Sequence, residues 1–192
     1  MHFERAVPPG PAVSPAEGYT GLDLGAHAPA DRPYVVCNFV SSVDGRATAK
    51  GRTALLGGEG DRAAFHLLRT QVDAVLAGTG TLRVERYGVI IRTEGLEEIR
   101  IAEGRPAQPL AVVISRSGGI PFDIPLFADP RARVVLYAPP ETVVPEGGAE
   151  VIRHSLQEVG EGLSDVLRSL RHHHGVRSLL CEGGPELFTA LL

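Results

Sequence analysis

The stretch Val176-Arg177-Ser178-Leu179-Leu180-Cys181-Glu182-Gly183-Gly184-Pro185 decides the fold. Val176 to Cys181 reads as a short buried strand, because Leu179, Leu180 and Cys181 are contiguous rather than alternating apolar residues. Gly183 and Gly184 break it and let backbone turn sharply. Pro185 suits the first turn of a helix, where its missing N–H costs nothing. The unit is therefore strand, glycine turn, helix.

The same grammar recurs outward along the chain. Asp73-Ala74-Val75-Leu76-Ala77 is a buried strand that ends in Gly78-Thr79-Gly80-Thr81. Leu110 to Ile114 ends in Ser115-Arg116-Ser117-Gly118-Gly119, and Arg133 to Ala138 is closed by Pro139-Pro140. Tyr34 to Ser41 is a further strand, followed by the turn Ser42-Val43-Asp44-Gly45-Arg46. Gly88 to Arg92 and Ala149 to Arg153 read as weaker strands, and 93–109 as a polar connection. Between them lie two amphipathic helices. Glu59 to Gln71 carries Ala63, Ala64, Leu67 and Leu68 on one face, and Leu163 to His172 carries Leu163, Val166, Leu167 and Leu170. Strands that alternate with helices indicate an α/β domain with a mainly parallel sheet. Residues 1–32, rich in Pro, Gly and Ala, read as a loosely structured lead-in, and 33–192 as the domain proper.

The chain has 192 residues and a formal charge of −4, so it suits one domain with a sizeable core. No apolar run approaches the roughly 18 residues of a membrane helix, and the N-terminus lacks a signal-peptide core. Mild acidity argues against a nucleic-acid surface. Cys37 and Cys181 lie in apolar runs and read as buried small hydrophobes, with no disulfide scaffold or zinc spacing. The cytoplasm is the compartment this implies. Lys50 is the only lysine, so an anion site here is built from arginine and backbone N–H groups.

Three glycine- or serine-rich loops follow strands, and in open α/β sheets ligands bind beyond the carboxyl ends of strands. The helix start at Pro185 would favour a phosphate; a tight turn that binds nothing is the plain alternative. Neither glycine loop has the spacing of a Rossmann fingerprint or a Walker A loop. Ser115-Arg116-Ser117 has the groups to hold the extra phosphate of NADPH, although a solvated loop arginine is the commoner case. His172-His173-His174 cannot all face one ion from a regular helix, so no metal site is read there. Asp44-Gly45 is also an ordinary turn pair, Arg69 an ordinary helix residue, and Glu182 an ordinary acid beside a helix start.

Together these motifs resemble the pyrimidine reductases of riboflavin biosynthesis, the type found as the C-terminal half of RibD, and most of all the stand-alone actinobacterial form. The resemblance runs from Pro33 to the end. It rests on Ser41 to Arg46, Leu67-Leu68-Arg69, Val75 to Thr81, and Cys181-Glu182-Gly183-Gly184-Pro185. It implies a dihydrofolate-reductase-like three-layer sandwich, NADPH as cofactor, and a phosphorylated pyrimidine substrate. The reaction implied converts 5-amino-6-(5-phosphoribosylamino)uracil, or its pyrimidine precursor, to the ribitylamino form. Cofactor contacts then fall on Gly78, Thr79, Gly80, Thr81, Glu85, Ser115, Gly183, Gly184, Pro185 and Glu186, and the contact at Ser115 strengthens the reading of its neighbour Arg116 as a phosphate holder. Substrate contacts fall on Asn38, Thr53, Arg69, Arg92 and Glu182, and the reaction centre on Asp44 and Glu182. Asn38 stands where many bifunctional members carry lysine, Glu85 where the family has aspartate, and Thr53 and Leu55 where they have serine and tryptophan. The resemblance also implies a homodimer and further strands beyond Leu192. The zinc signature of a deaminase domain is absent. Two rivals on the same loops are a dihydrofolate or pterin reductase and a non-catalytic nucleotide-binding relative.

Overall fold

A computed structural model of the chain describes residues 10–48, 56–160 and 162–191. Its centre is a six-stranded sheet. The strands are β1 (Tyr34–Cys37), β2 (Ala74–Gly78), β3 (Leu110–Ile114), β4 (Arg133–Ala138), β5 (Glu150–Ser155) and β6 (Ser178–Cys181). Their order is β1-β6-β2-β3-β4-β5, and every neighbouring pair is parallel. The chain steps outward from β2 to β5 and then returns to place β6 between β1 and β2. That reversal puts a topological switch point at the carboxyl ends of β6, β2 and β3.

Alternate strand residues feed two cores. Val75, Ala77, Val113, Val134 and Leu136 face one layer, and Ala74, Leu76, Val112, Val135 and Tyr137 face the other. The first layer contains α2 (Glu59–Thr70), α3 (Thr79–Glu85), α4 (Leu96–Ala102) and α5 (Pro125–Ala128); the second contains α6 (Leu156–Val159), α7 (Leu163–His174) and α8 (Pro185–Leu191). Central strands buried on both faces explain why their sequences do not alternate. Among the described residues, no helix is long and apolar enough to cross a membrane.

Several segments differ from the sequence reading. The stretch 93–109 is not simply a polar connection: it contains α4, and Arg100 within it is 1% exposed. Its guanidinium donates to the carbonyls of Val72 at 2.6 Å, Thr70 at 3.0 Å and Pro106 at 2.7 Å, closing the C-terminal end of α2. Burial, then the neighbouring Arg105, bring its pKa down to about 10. Gly88 to Arg92 is irregular rather than a strand, although Val89, Ile90 and Ile91 are buried. Its apolar run packs into the core without pairing. The lead-in is also more built than its composition implies. A helix, α1 (Pro15–Tyr19), starts with a capping box between Ser14 and Glu17. The backbone N–H of Leu22 then donates to Gln71 at 2.9 Å. Cys181 is buried, but its register partner Cys37 is exposed, because β1 is a sheet edge among the described residues.

Candidate active site

Backbone bonds knit the strand-end loops together at the switch point. The N–H of Gly78 donates to the Gly183 carbonyl at 2.8 Å, that of Glu182 to Leu76 at 2.9 Å, and that of Asn38 to Cys181 at 3.1 Å. The Gly183–Gly184 peptide is cis. A Cβ at Gly184 would lie 3.3 Å from the Thr81 hydroxyl, whereas one at Gly80 would meet nothing within 4 Å. Gly184 is thus needed for the close approach of two loops, and Gly80 leaves backbone open. Gly78-Thr79-Gly80-Thr81, read as a loop, is in fact the start of α3: Gly78 is its N-cap.

These loops open into a cleft of about 1290 Å³, which exceeds the ~300–1,000 Å³ typical of a single small-ligand pocket. The wall includes Asn38, Gly78, Thr79, Gly80, Thr81, Glu85, Ser115, Arg116, Gly184, Pro185 and Glu186 from the expected set, together with Arg69, Arg92 and Glu182. Gly183 is buried just behind it. Thr53 and Leu55 lie outside the described residues.

At the floor sits a buried ion pair. Arg69 Nε and Nη2 donate to the two carboxylate oxygens of Glu182, each at 2.7 Å, and Tyr87 donates its hydroxyl to the same carboxylate at 2.5 Å. The Arg69 and Glu182 side chains are 6% and 2% exposed. Arg69 Nη1 is used on the Ile90 carbonyl at 2.9 Å, and its guanidinium lies 4.2 Å from the Phe65 ring centre. Burial works against the Arg69 charge, yet Glu182 more than offsets it and raises the pKa. Burial, then the Glu182 charge, push the Tyr87 hydroxyl well above its ordinary value, so it stays protonated. The position of Arg69 corrects one reading. It is not an ordinary solvated helix residue, because three of its five N–H groups are spent on Glu182 and Ile90.

Other cations on the wall are less engaged. Arg116 forms no hydrogen bond or ion pair among the described residues, and it stands between Ser115 and Ser117, both on the wall. Among the described residues, Arg92 donates only to the Val89 carbonyl and the Arg62 side chain only to Gly57, each at 3.3 Å. Asp44 is not on the wall. It lies on an exposed turn, bonded to the Ser42 hydroxyl and, at 2.9 Å, to Arg46. Those two partners hold its carboxyl below the ordinary value. Ala47 and Thr48 do line the cleft, and three residues of chain reach at most about 10 Å, so Asp44 lies within about that distance of the wall.

The profile of the RibD C-terminal domain family matches residues 33–192. The chain belongs to that family. It is 31% identical over 167 residues to the 2,5-diamino-6-ribosylamino-4(3H)-pyrimidinone 5′-phosphate reductase of Archaeoglobus fulgidus, an overlap of 84% of this chain and 74% of that protein. It is 32% identical over 164 residues to the riboflavin biosynthesis protein RibD of Mycobacterium tuberculosis, covering 83% of this chain but 38% of that longer one. A solved pyrimidine reductase-like protein from Corynebacterium diphtheriae shares the fold, with a TM-score of 0.67 at 22% identity, over 92% of this chain and 75% of that one.

Within this RibD-type site the sequence reading missed Tyr87, Phe65, His66 and Arg62. Tyr87 follows α3 through the left-handed Arg86 and has no local motif. The other three were legible, since 62, 65, 66 and 69 share one helical stripe. The N-terminal end of α7, Gly162 to Ser164, also lines the cleft. The three histidines at the far end of α7 fan out: His173 reaches Ser169 at 3.1 Å, His174 reaches His154 at 2.7 Å, and His172 is exposed.

Proposed function

We propose that this chain is an NADPH-dependent reductase that converts 5-amino-6-(5-phosphoribosylamino)uracil, or its pyrimidine precursor, to the ribitylamino form. One observation carries the reading: the cleft holds two separate sets of under-used arginines, Arg116 on the β3 loop and Arg62 and Arg92 near α2. Two phosphate-bearing ligands, a cofactor and a substrate, match two such sets. The volume of the cleft and the open backbone at Gly80 fit a dinucleotide beside a smaller partner. Arg116, flanked by two hydroxyls, suits the 2′-phosphate that separates NADPH from NADH.

Bound NADPH would supply the hydride to C1′ of the ribosyl group, where the C1′–O4′ bond breaks and O4′ takes up a proton from solvent. The protein's own residues orient the substrate and manage charge. An ionised carboxylate offers about four acceptor sites. Glu182 spends three on Arg69 and Tyr87, and the one left on Oε1 can accept from a ribose hydroxyl or a pyrimidine N–H. Arg69 and Tyr87 are positioning residues for it. Asp44, an ionised carboxylate within about 10 Å of the wall, is assigned to favour positive charge developing at C1′ rather than to donate a proton. Assembly as a homodimer, which rests on the resemblance, and a cytoplasmic location, which rests on the cysteine usage, complete the proposal.

The test is NADPH oxidation by the purified chain with the phosphoribosylamino-pyrimidine and, in parallel, with dihydrofolate. The proposal predicts turnover of the first, with Arg92→Gln raising its KM about tenfold or more, the scale of a lost charge-assisted hydrogen bond. Faster turnover of dihydrofolate would contradict it.

A further inference from the structure

The cleft-facing stripe of α2 carries Arg62, Phe65, His66 and Arg69 at spacings of three, four and seven. In an amphipathic helix that spacing normally marks a buried apolar face. Here it places three basic side chains and one ring along a ligand cleft. Arg69 is already held by Glu182, and Phe65 packs against it. Among the described residues the Arg62 side chain has one long bond, to a carbonyl. The His66 ring contacts the Phe65 ring, with centroids 5.7 Å apart, and its nitrogens have no hydrogen-bond partner among the described residues.

The charged groups around His66 come from three elements. Arg62 and Arg69 belong to its own helix, Arg92 to the segment after α3, and Glu182 to the end of β6. Asp61 is also on the wall, but its carboxylate packs over Gly57. Glu182 is neutralised by Arg69, so the balance around the imidazole is cationic. Burial first, then Arg69, hold His66 below the ordinary imidazole value, with Arg92 and Arg62 adding to the effect. The free protein therefore keeps this ring neutral near neutral pH. An arriving phosphate dianion reverses the local balance.

We propose that His66 is the third arm of a phosphate seat with Arg62 and Arg92, and that it engages a phosphomonoester as imidazolium, so that binding takes up a proton. The inference rests on the phosphoribosyl reading above and adds a selection rule: the seat matches a dianion, not the single charge of a carboxylate. A phosphate ester is largely dianionic at pH 7, its second pKa being about 6.

The experiment is isothermal titration of ribose 5-phosphate into the full chain between about pH 7 and 8.5, in two buffers of different ionisation heat. The expected result is proton uptake approaching one per bound phosphate, with affinity falling by up to about tenfold per pH unit. His66→Gln binds more weakly, without uptake and without pH dependence. His66→Lys, a permanent cation, keeps the affinity at the alkaline end and also loses the uptake. Uptake that persists in His66→Gln, or wild-type binding that is flat with pH, overturns the role of His66 while leaving the reductase reading intact. If ribose 5-phosphate fails to bind, the seat is overturned; if turnover of the phosphoribosylamino-pyrimidine is absent as well, the reading beneath it falls too.

Discussion

Glu182→Gln removes the charge that compensates Arg69 while keeping the shape of the side chain. The pair is nearly inaccessible, at 6% and 2% exposure, and is joined by two bonds of 2.7 Å. Two unit charges about 4 Å apart attract by about 4 kcal/mol at an effective dielectric near 20. Removing one partner from a buried pair costs about 3–5 kcal/mol, because the other charge is left uncompensated. For a chain of this size each kcal/mol lowers Tm by about 2–4 °C, so the expected fall is about 6–20 °C. Thermal unfolding followed by circular dichroism reads it directly. The double variant Arg69→Met/Glu182→Leu should recover most of that loss, since apolar replacement of a buried pair is often neutral, but it should have no reductase activity. A fall under 2 °C in the single variant, or a double variant no more stable than the single, would refute the reasoning that this pair is a buried, mutually dependent unit.

Three further outcomes are expected. Arg116→Gln should lower the preference for NADPH over NADH, measured as the ratio of kcat/KM values, by about 10- to 150-fold, the equivalent of a charged hydrogen bond of ~1.5–3 kcal/mol. An unchanged ratio would remove Arg116 from cofactor selection. Asp44→Asn should lower kcat at little cost in KM or Tm, because the carboxylate is exposed and its partners Ser42 and Arg46 lie on the same turn; unchanged turnover in a well-folded variant would take Asp44 out of the mechanism. His154 and His174 share one short contact, and burial, then neighbouring charge, hold both below the ordinary imidazole value. The unfolded chain then binds more protons than the native one below about pH 6.5, so stability is full above that value and declines as pH falls toward the lower native pKa values. A His154→Phe/His174→Leu variant should lose less Tm between about pH 7.5 and 5.5 than the wild type, and equal losses would refute the linkage.

The parallel sheet was legible because Leu110–Ile114 and Arg133–Ala138 are short, contiguous apolar runs whose limits the strands reproduce. The same rule misled at Gly88 to Arg92. That run is equally apolar, but its burial comes from packing, and among the described residues its backbone pairs with no strand. The polar texture of 93–109 concealed α4, because Arg100 is buried by donating to backbone carbonyls, a non-local use of a charge that composition cannot reveal. In the site, Glu182 and Arg69 were found through their motifs, but their partnership spans 113 residues of sequence and only the fold brings it about. Tyr87 had no motif at all. The stripe of Arg62, Phe65 and His66 is visible in the spacing, but apolar periodicity alone does not mark it, because two of its three side chains are basic.

The structure of a ternary complex with NADPH and a ribose-phosphate analogue tests the central claim most directly. The account predicts the cofactor between Thr79–Thr81 and Gly184, its 2′-phosphate on Arg116, and the substrate phosphate within hydrogen-bond distance of Arg92 and His66, with the Arg69–Glu182 pair unbroken. A substrate phosphate bound to Arg69 with that pair opened, or a cofactor lying outside the cleft, would contradict it.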